Sequence, residues 1–200
     1  QHVPIIISTG MGAYYDIERA VKAARVSKAA QVALLKCTSA YPAEEHSLNL
    51  GAIAVLKERV GCPVGFSDHT AGTDAGALAV MAGADILEKH FTADNKTTLD
   101  SHFSLLPGKM AEYVGKARRA QAAMGAQIGP QESELPSMVF RRSVFTARAL
   151  RAGISVQADD FTVIRPGGVG MPPDELAGLV GRRPKADVPA HIPVRLAMFV

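Results

Sequence analysis

Pro63-Val-Gly-Phe-Ser-Asp-His-Thr70 and Ala84-Asp-Ile-Leu-Glu-Lys-His-Phe91 stand on either side of a small-residue segment, residues 71–83. The apolar runs 63–66 and 86–87 are bounded by turn signals and separated by an Ala/Gly/Leu-rich stretch of helix length. That is the pattern of one β-α-β unit with parallel strands. His69 and His90 therefore each stand where a strand ends. Neighbouring strands lie about 4.8 Å apart, so side chains leaving the same end of both can converge on one point. Two imidazoles at one point in an α/β protein suggest a metal site. A lone histidine is more often a satisfied structural residue, but a matched pair on consecutive strands favours ligation.

Upstream, Val3-Pro-Ile-Ile-Ile-Ser8 is a continuous apolar run that reads as a doubly buried parallel strand, with Thr9-Gly-Met-Gly12 as the turn after it. Residues 16–29 put Ile17, Ala20, Val21 and Ala24 on one face of a helix and Glu18, Lys22 and Arg25 on the other. Val32 to Cys37 is the next strand, leading into Thr38-Ser-Ala-Tyr-Pro42. Ile53, Leu56 and Val60 form the stripe of a second helix, with Gly61 placed to end it. Downstream, a loop from Thr92 to Leu106 leads to a helix over about 109–124, closed by Gly125.

These are four successive βα units, each with polar residues just past the C-terminal end of its strand. In a β/α barrel that face carries the active site, so Ser8, Ser39, Tyr41, Ser67, Asp68, His69 and His90 are expected around one mouth. Four units are half of a closed (β/α)8 TIM barrel. The expectation is that an N-terminal half with about four more strands lies outside this sequence and that residues 1–200 alone are inactive. An open four-stranded sheet is the competing architecture, but it leaves two edges with no evident protection.

At 200 residues and 48% hydrophobic content the chain can bury a sizeable core in one or two domains. No apolar run approaches the roughly 18 residues of a membrane span and no signal peptide is visible, so a soluble, cytoplasmic protein is expected. Cys37 and Cys62 fit reduced thiols better than a disulfide framework. A net charge of +3 with dispersed Lys and Arg suits anionic small ligands and offers no case for nucleic acid or a membrane.

Beyond Gly125 the texture changes. Gly129-Pro130 through Pro136 is polar and turn-rich, and short apolar pieces broken by Gly and Pro follow: Ser143–Arg148, Gly153-Ile154, Phe161–Ile164 and Arg165-Pro-Gly-Gly-Val-Gly-Met-Pro-Pro173. A short helix is expected over Asp174 to Val180. The division read from this is a barrel half over 1–127, a linker over 128–139 and a small irregular β domain over 140–200 that buries little core of its own.

Lys36-Cys-Thr-Ser-Ala-Tyr-Pro42, Gly65-Phe-Ser-Asp-His-Thr70, Glu88-Lys-His-Phe-Thr92 and Ile164-Arg-Pro-Gly-Gly168 occur in the order and spacing of the sialic acid (nonulosonate) synthase family, which the chain resembles over nearly its whole length. Its C-terminal part resembles that family's antifreeze-like domain, a β-clip fold also called SAF. The resemblance implies condensation of phosphoenolpyruvate with an N-acylated hexosamine such as N-acetylmannosamine, giving a nine-carbon 2-keto acid and phosphate. It implies a divalent cation, Mn2+ or Mg2+, held by His69 and His90. Imidazole ligation by itself also suits zinc or iron. Ser8 would contact phosphate and Ser67 phosphoenolpyruvate. Ser39, where the family often has asparagine, would contact the sugar with Tyr41, and Asp100 would bind sugar hydroxyls. Arg165 would reach the partner's barrel in a domain-swapped homodimer.

The loop Lys96-Thr-Thr-Leu-Asp-Ser-His-Phe-Ser-Leu105 lacks the Pro-Gly-Pro-Asp of many neuraminate-type members, and its ending resembles the pseudaminic acid synthase branch. A function of another class, non-catalytic carbohydrate or ice binding, is suggested by the antifreeze-like domain, but metal-site histidines have no part in it. Asp68 reads as an orienter of a ligand or as the cap of the next turn. Lys36 and Lys89 suggest an interior ion pair with Glu88 as the neighbour. Cys37 reads as packing, and His46, His102 and His191 as solvated.

Overall fold

The protein was analysed as a computed structural model, in which the structure describes residues 3–27, 31–94, 98–165 and 168–200. Two compact units, Gln1–Ala126 and Gln127–Val200, divide the chain. In the first, the aliphatic runs form β1 (Ile5–Ser8), β2 (Val32–Cys37), β3 (Val64–Asp68) and β4 (Leu87–Lys89), all parallel and in the order β1-β2-β3-β4. Helices α1 (Tyr14–Val26), α2 (Ala52–Val60) and α3 (Ala75–Met81) connect them, and α4 (Pro107–Ala123) follows β4. Parallel crossovers are right-handed, so a sheet whose order never reverses carries its connecting helices on one face. The core shows this: Ile17 and Val21 of α1, Ile53 and Leu56 of α2, and Ala75 and Ala79 of α3 form one cluster with Leu34, Val64 and Phe66 of the sheet.

Strand pleating sends alternate residues to the other face. There Leu35 is paired in register with Gly65, and Ser67 with both Cys37 and Glu88. Gly65 is obligatory at its place, because a Cβ would lie 2.3 Å from the Ile86 carbonyl oxygen and 2.7 Å from the Leu35 side chain. The expectation of a doubly buried first strand is corrected: Ile6 is 55% exposed. Within residues 1–200, β1 packs only its helix-facing side.

Both histidine strands run two residues further than their apolar cores, through Ser67-Asp68 and Glu88-Lys89, so each imidazole follows its strand directly. α1 starts at Tyr14, two residues before its expected start, and the expected end at Lys28-Ala29 lies outside the described residues. α2 ends at Gly61, whose left-handed φ of 62° suits glycine. Arg25 from α1 caps that same end, donating to the Val60 carbonyl at 2.9 Å. α4 begins with Pro107 in its first turn, where a missing amide proton costs nothing.

The second unit is built on an antiparallel pair, β5 (Ser143–Thr146) and β6 (Phe161–Ile164), with single bridges at Phe145–Pro193, Leu150–Val188 and Pro184–Phe199. The helix expected near Asp174 is a 3-10 helix, Pro173–Leu179. Within the expected linker, residues Glu132–Phe140 form a nine-residue 3-10 helix, its first turn held by the Glu134 carboxylate accepting from the Gln131 amide at 2.7 Å. The expectation of little core is corrected: the unit has a core of its own, including Val144, Leu150, Phe161, Leu179, Val194 and Phe199.

Candidate active site

The C-terminal ends of the four strands carry the candidate residues. β1 ends at Ser8, in register with Leu35, and the amide of Thr9 continues the ladder to the Leu35 carbonyl at 2.8 Å. The chain then turns at Gly10, with φ 47° and its amide donating to Cys37 Sγ at 3.1 Å. A Cβ on Gly10 would lie 3.3 Å from Ser39 Oγ, so Ser39 packs directly on the turn that follows Ser8. Ser8 and Ser39 are both exposed there. Cys37 is buried as a free thiol, and its sulfur is an acceptor for the turn as well as a packing group.

His69 is buried and its ring is tied through Nδ1. Nδ1 lies 2.8 Å from the Thr38 carbonyl oxygen, which can only accept, so Nδ1 carries a proton. In the neutral ring Nε2 is then a bare lone pair. It faces Ser67 Oγ at 3.2 Å, but that hydroxyl gives its single proton to Glu88 Oε1 at 2.6 Å. A backbone carbonyl that fixes the tautomer and leaves the other nitrogen free is the usual support of a metal-binding histidine.

The His90 ring centre is 5.4 Å from that of His69, with the planes at 73°. Its Nδ1 is 3.8 Å from Asp100 Oδ2, an ion pair when the imidazole is protonated and too long for a hydrogen bond. Asp100 is 56% exposed at its side chain, while its carbonyl is engaged by the Ser104 hydroxyl at 2.7 Å. Tyr41 lies against His69 at 4.3 Å between ring centres and presents an edge to His90 at 6.1 Å. Phe103 closes the group, 4.7 Å from His90 and 5.3 Å from Tyr41.

The structure therefore brings Ser67, His69, His90, Tyr41 and Asp100 into one cluster and sets Ser8 and Ser39 together at the ends of β1 and β2. Arg165 belongs to the second unit, where it is exposed just after β6; Pro166-Gly167 of its motif lie outside the described residues, as does Lys96 of the loop before Asp100. Among the described residues, no group of three or more His, Cys, Asp and Glu side chains is arranged to hold a metal. Two imidazoles are fewer protein donors than the three of an ordinary catalytic zinc site, so a cation held by them would keep its remaining positions open.

The expected pairing of the strand lysines with Glu88 is corrected. Glu88 points to the Ser67 side of the sheet, whereas Lys89, its neighbour in the strand, points the opposite way and pairs with Asp68. Lys36 donates to the Cys37 carbonyl at 2.7 Å and to the Thr38 hydroxyl at 3.3 Å. Burial lowers the pKa of both lysines, and for Lys89 the Asp68 carboxylate opposes that shift. Asp68 does act as a turn cap, accepting the Thr70 amide at 2.8 Å. Sequence reasoning missed Phe103 and the Thr38 carbonyl. The first had a signal, an aromatic residue two before Leu105 inside a polar loop; the second had none, because a main-chain oxygen has no residue-type signature.

Comparison with known proteins gives the context of this geometry. Residues 1–129 match the NeuB family and residues 141–200 the SAF domain. The N,N'-diacetyllegionaminic acid synthase of Legionella pneumophila is 36% identical over 188 residues, covering 90% of this chain and 52% of that protein. The pseudaminic acid synthase of Campylobacter jejuni is 32% identical over 187 residues, covering 92% of this chain and 54% of that protein. The crystal structure of a candidate spore coat polysaccharide biosynthesis protein E from Chromobacterium violaceum superposes with a TM-score of 0.81 at 25% identity, covering 100% of this chain and 61% of that one. The chain thus spans about half the length of the curated relatives it matches. No helix among the described residues is long and apolar enough to cross a membrane.

Proposed function

The chain belongs to the NeuB family, and from that premise we propose that the complete protein condenses phosphoenolpyruvate with an N-acylated hexosamine, forming a nine-carbon 2-keto sugar acid and phosphate. The observation that carries this reading is the convergence of His69 and His90 from adjacent strands, with His69 Nε2 left open by its Nδ1 bond to Thr38. A divalent cation held there, manganese or magnesium, would polarise the aldehyde oxygen of the sugar as a Lewis acid. The new C–C bond joins the enol carbon to the aldehyde carbon, water adds at C2, and C–O cleavage releases phosphate.

The chain's own groups divide the remaining work. Ser8, at the turn of Gly10, receives the phosphate end with its hydroxyl, and Ser39, packed on that turn, contacts the sugar with Tyr41. Ser67, held between His69 and the Glu88 carboxylate, lines the position of phosphoenolpyruvate. Tyr41 and Phe103 exclude water from the imidazoles, which strengthens every polar contact there. Asp100, beside His90, accepts from sugar hydroxyls.

The non-reversing sheet supports a half (β/α)8 barrel completed by strands from outside residues 1–200, followed in sequence by a β-clip SAF domain. Arg165 of that domain acts on the partner's site in a swapped cytoplasmic homodimer. The ending Asp100-Ser-His-Phe-Ser-Leu105 favours a second reading for the sugar, that of the pseudaminic acid synthase branch.

Phosphate release from phosphoenolpyruvate, measured with manganese and a panel of N-acyl and di-N-acyl hexosamines on the complete protein, tests both. Release with one of these aldehydes is expected. Absence of release across the panel from a folded protein refutes the synthase assignment.

A further inference from the structure

Behind the two histidines, on the helix side of the sheet, lies a closed ion pair. Asp68 and Lys89 are register partners across β3 and β4, with Lys89 Nζ 3.2 Å from Asp68 Oδ2 and side chains 2% and 0% exposed for the lysine and aspartate. Each immediately precedes one of the imidazoles. The pair also grips the backbone on the far side of His69: Asp68 Oδ1 accepts the Thr70 amide at 2.8 Å, and the Lys89 ammonium donates to the Thr70 carbonyl and, at 3.3 Å, to its hydroxyl. The Tyr113 ring of α4 covers the ammonium at 5.7 Å, and it fits only because Gly76 of α3 has no side chain.

Two buried charges pay heavily in desolvation, and an apolar pair of similar volume would pack the strand ends about as stably. An apolar pair has no directional bonds, however. The ionic one ties the residue before His69, the residue after it and the residue before His90 into a single unit. We propose that Asp68 and Lys89 are positioning residues for the metal centre, holding the two imidazoles at the separation and tilt at which both address one cation. This inference rests on the reading of His69 and His90 as cation ligands.

Cobalt(II), whose visible bands report ligand geometry, separates the inference from that reading. The complete protein and its His69→Ala, Lys89→Met, Asp68→Asn and Val64→Ala variants are titrated with cobalt, with circular dichroism as the check on folding. Val64→Ala truncates the core at the opposite end of β3 and supplies a destabilised control. Asp68→Asn keeps an oxygen for the Thr70 amide, so it provides the measurement even where Lys89→Met does not fold. His69→Ala is expected to abolish specific binding. Asp68→Asn and folded Lys89→Met are expected to shift the bands and weaken cobalt binding by about 10-fold or more, the usual effect of losing an outer support, whereas Val64→Ala leaves both unchanged. If His69→Ala loses binding while folded pair variants keep the parent's affinity and bands, the positioning role is refuted and the metal reading stands. If His69→Ala binds cobalt as the parent does, the metal reading falls and the inference falls with it.

Discussion

Replacing Gly76 by alanine puts one carbon atom where the Tyr113 ring already lies. The new Cβ would be 2.3 Å from Tyr113 Cζ, 2.5 Å from its hydroxyl and 2.7 Å from Cε2. Carbon atoms pack at about 3.5–4.0 Å, so the ring must retreat by roughly 1.2 Å or more. It has little room, since Tyr113 is buried between α3 and the Lys89 ammonium. Overpacking of this kind costs about 1–3 kcal/mol, against which alanine in a helix regains about 0.8–1.0 kcal/mol over glycine. The net expectation is a loss of up to about 2 kcal/mol, or up to roughly 10 °C in Tm for a unit of this size. Gly115 on α4 provides the contrast, because a Cβ there meets nothing within 4 Å. Gly115→Ala is expected to raise stability by up to about 1 kcal/mol. Urea and thermal unfolding of the two variants should therefore move in opposite directions. Adding Tyr113→Leu, which removes the obstructing atoms, should couple favourably to Gly76→Ala by about 1 kcal/mol or more. A Gly76→Ala protein as stabilised as Gly115→Ala would refute the packing of α3 on α4 described above.

Asp100→Asn in the complete protein is expected to raise KM for the sugar much more than KM for phosphoenolpyruvate; equal changes in steady-state kinetics would assign Asp100 a structural role. Arg165→Ala subunits co-expressed with inactive His69→Ala subunits should form mixed dimers more active than either variant alone, because one site then keeps its histidines and receives an intact Arg165. Mixed dimers confirmed by tag pull-down without recovery of activity would remove Arg165 from the partner's site. Asp160 is the acid-sensitive point of the second unit. Burial alone raises its pKa, but the Gln157 amide at 2.7 Å and the Arg148 guanidinium more than offset that, and the net shift is downward. A lowered pKa means that its stabilisation is present above the ordinary carboxylate value of about 3.9 and is lost as pH falls through the lower folded value. Asp160→Asn should therefore cost about 1–3 kcal/mol at pH 7 and flatten the acid limb of the stability curve below about pH 4; an acid limb unchanged by the substitution would contradict this.

Order and type of elements were readable from residues 1–126 because both depend on local pattern. Apolar runs of strand length, helical stripes such as Ile53, Leu56 and Val60, and the stop at Gly61 act within a few residues of themselves. The same locality placed His69 and His90 at strand ends, since a strand's exit follows from where its apolar run stops. The 3-10 helix at Glu132–Phe140 escaped because its polar, proline-containing sequence has no apolar stripe to mark it. Partners across strands were beyond local pattern altogether. Glu88 and Lys89 are adjacent in sequence and equally near to Asp68 and Ser67, and only the pleat sends one to the serine and the other to the aspartate. The tautomer of His69 likewise depends on the Thr38 carbonyl, 31 residues away, which β2 presents once it has paired with β3. Local chemistry chose the elements and the residue types at the mouth. Register and pleat, which exist only after the strands associate, decided which of those residues touch.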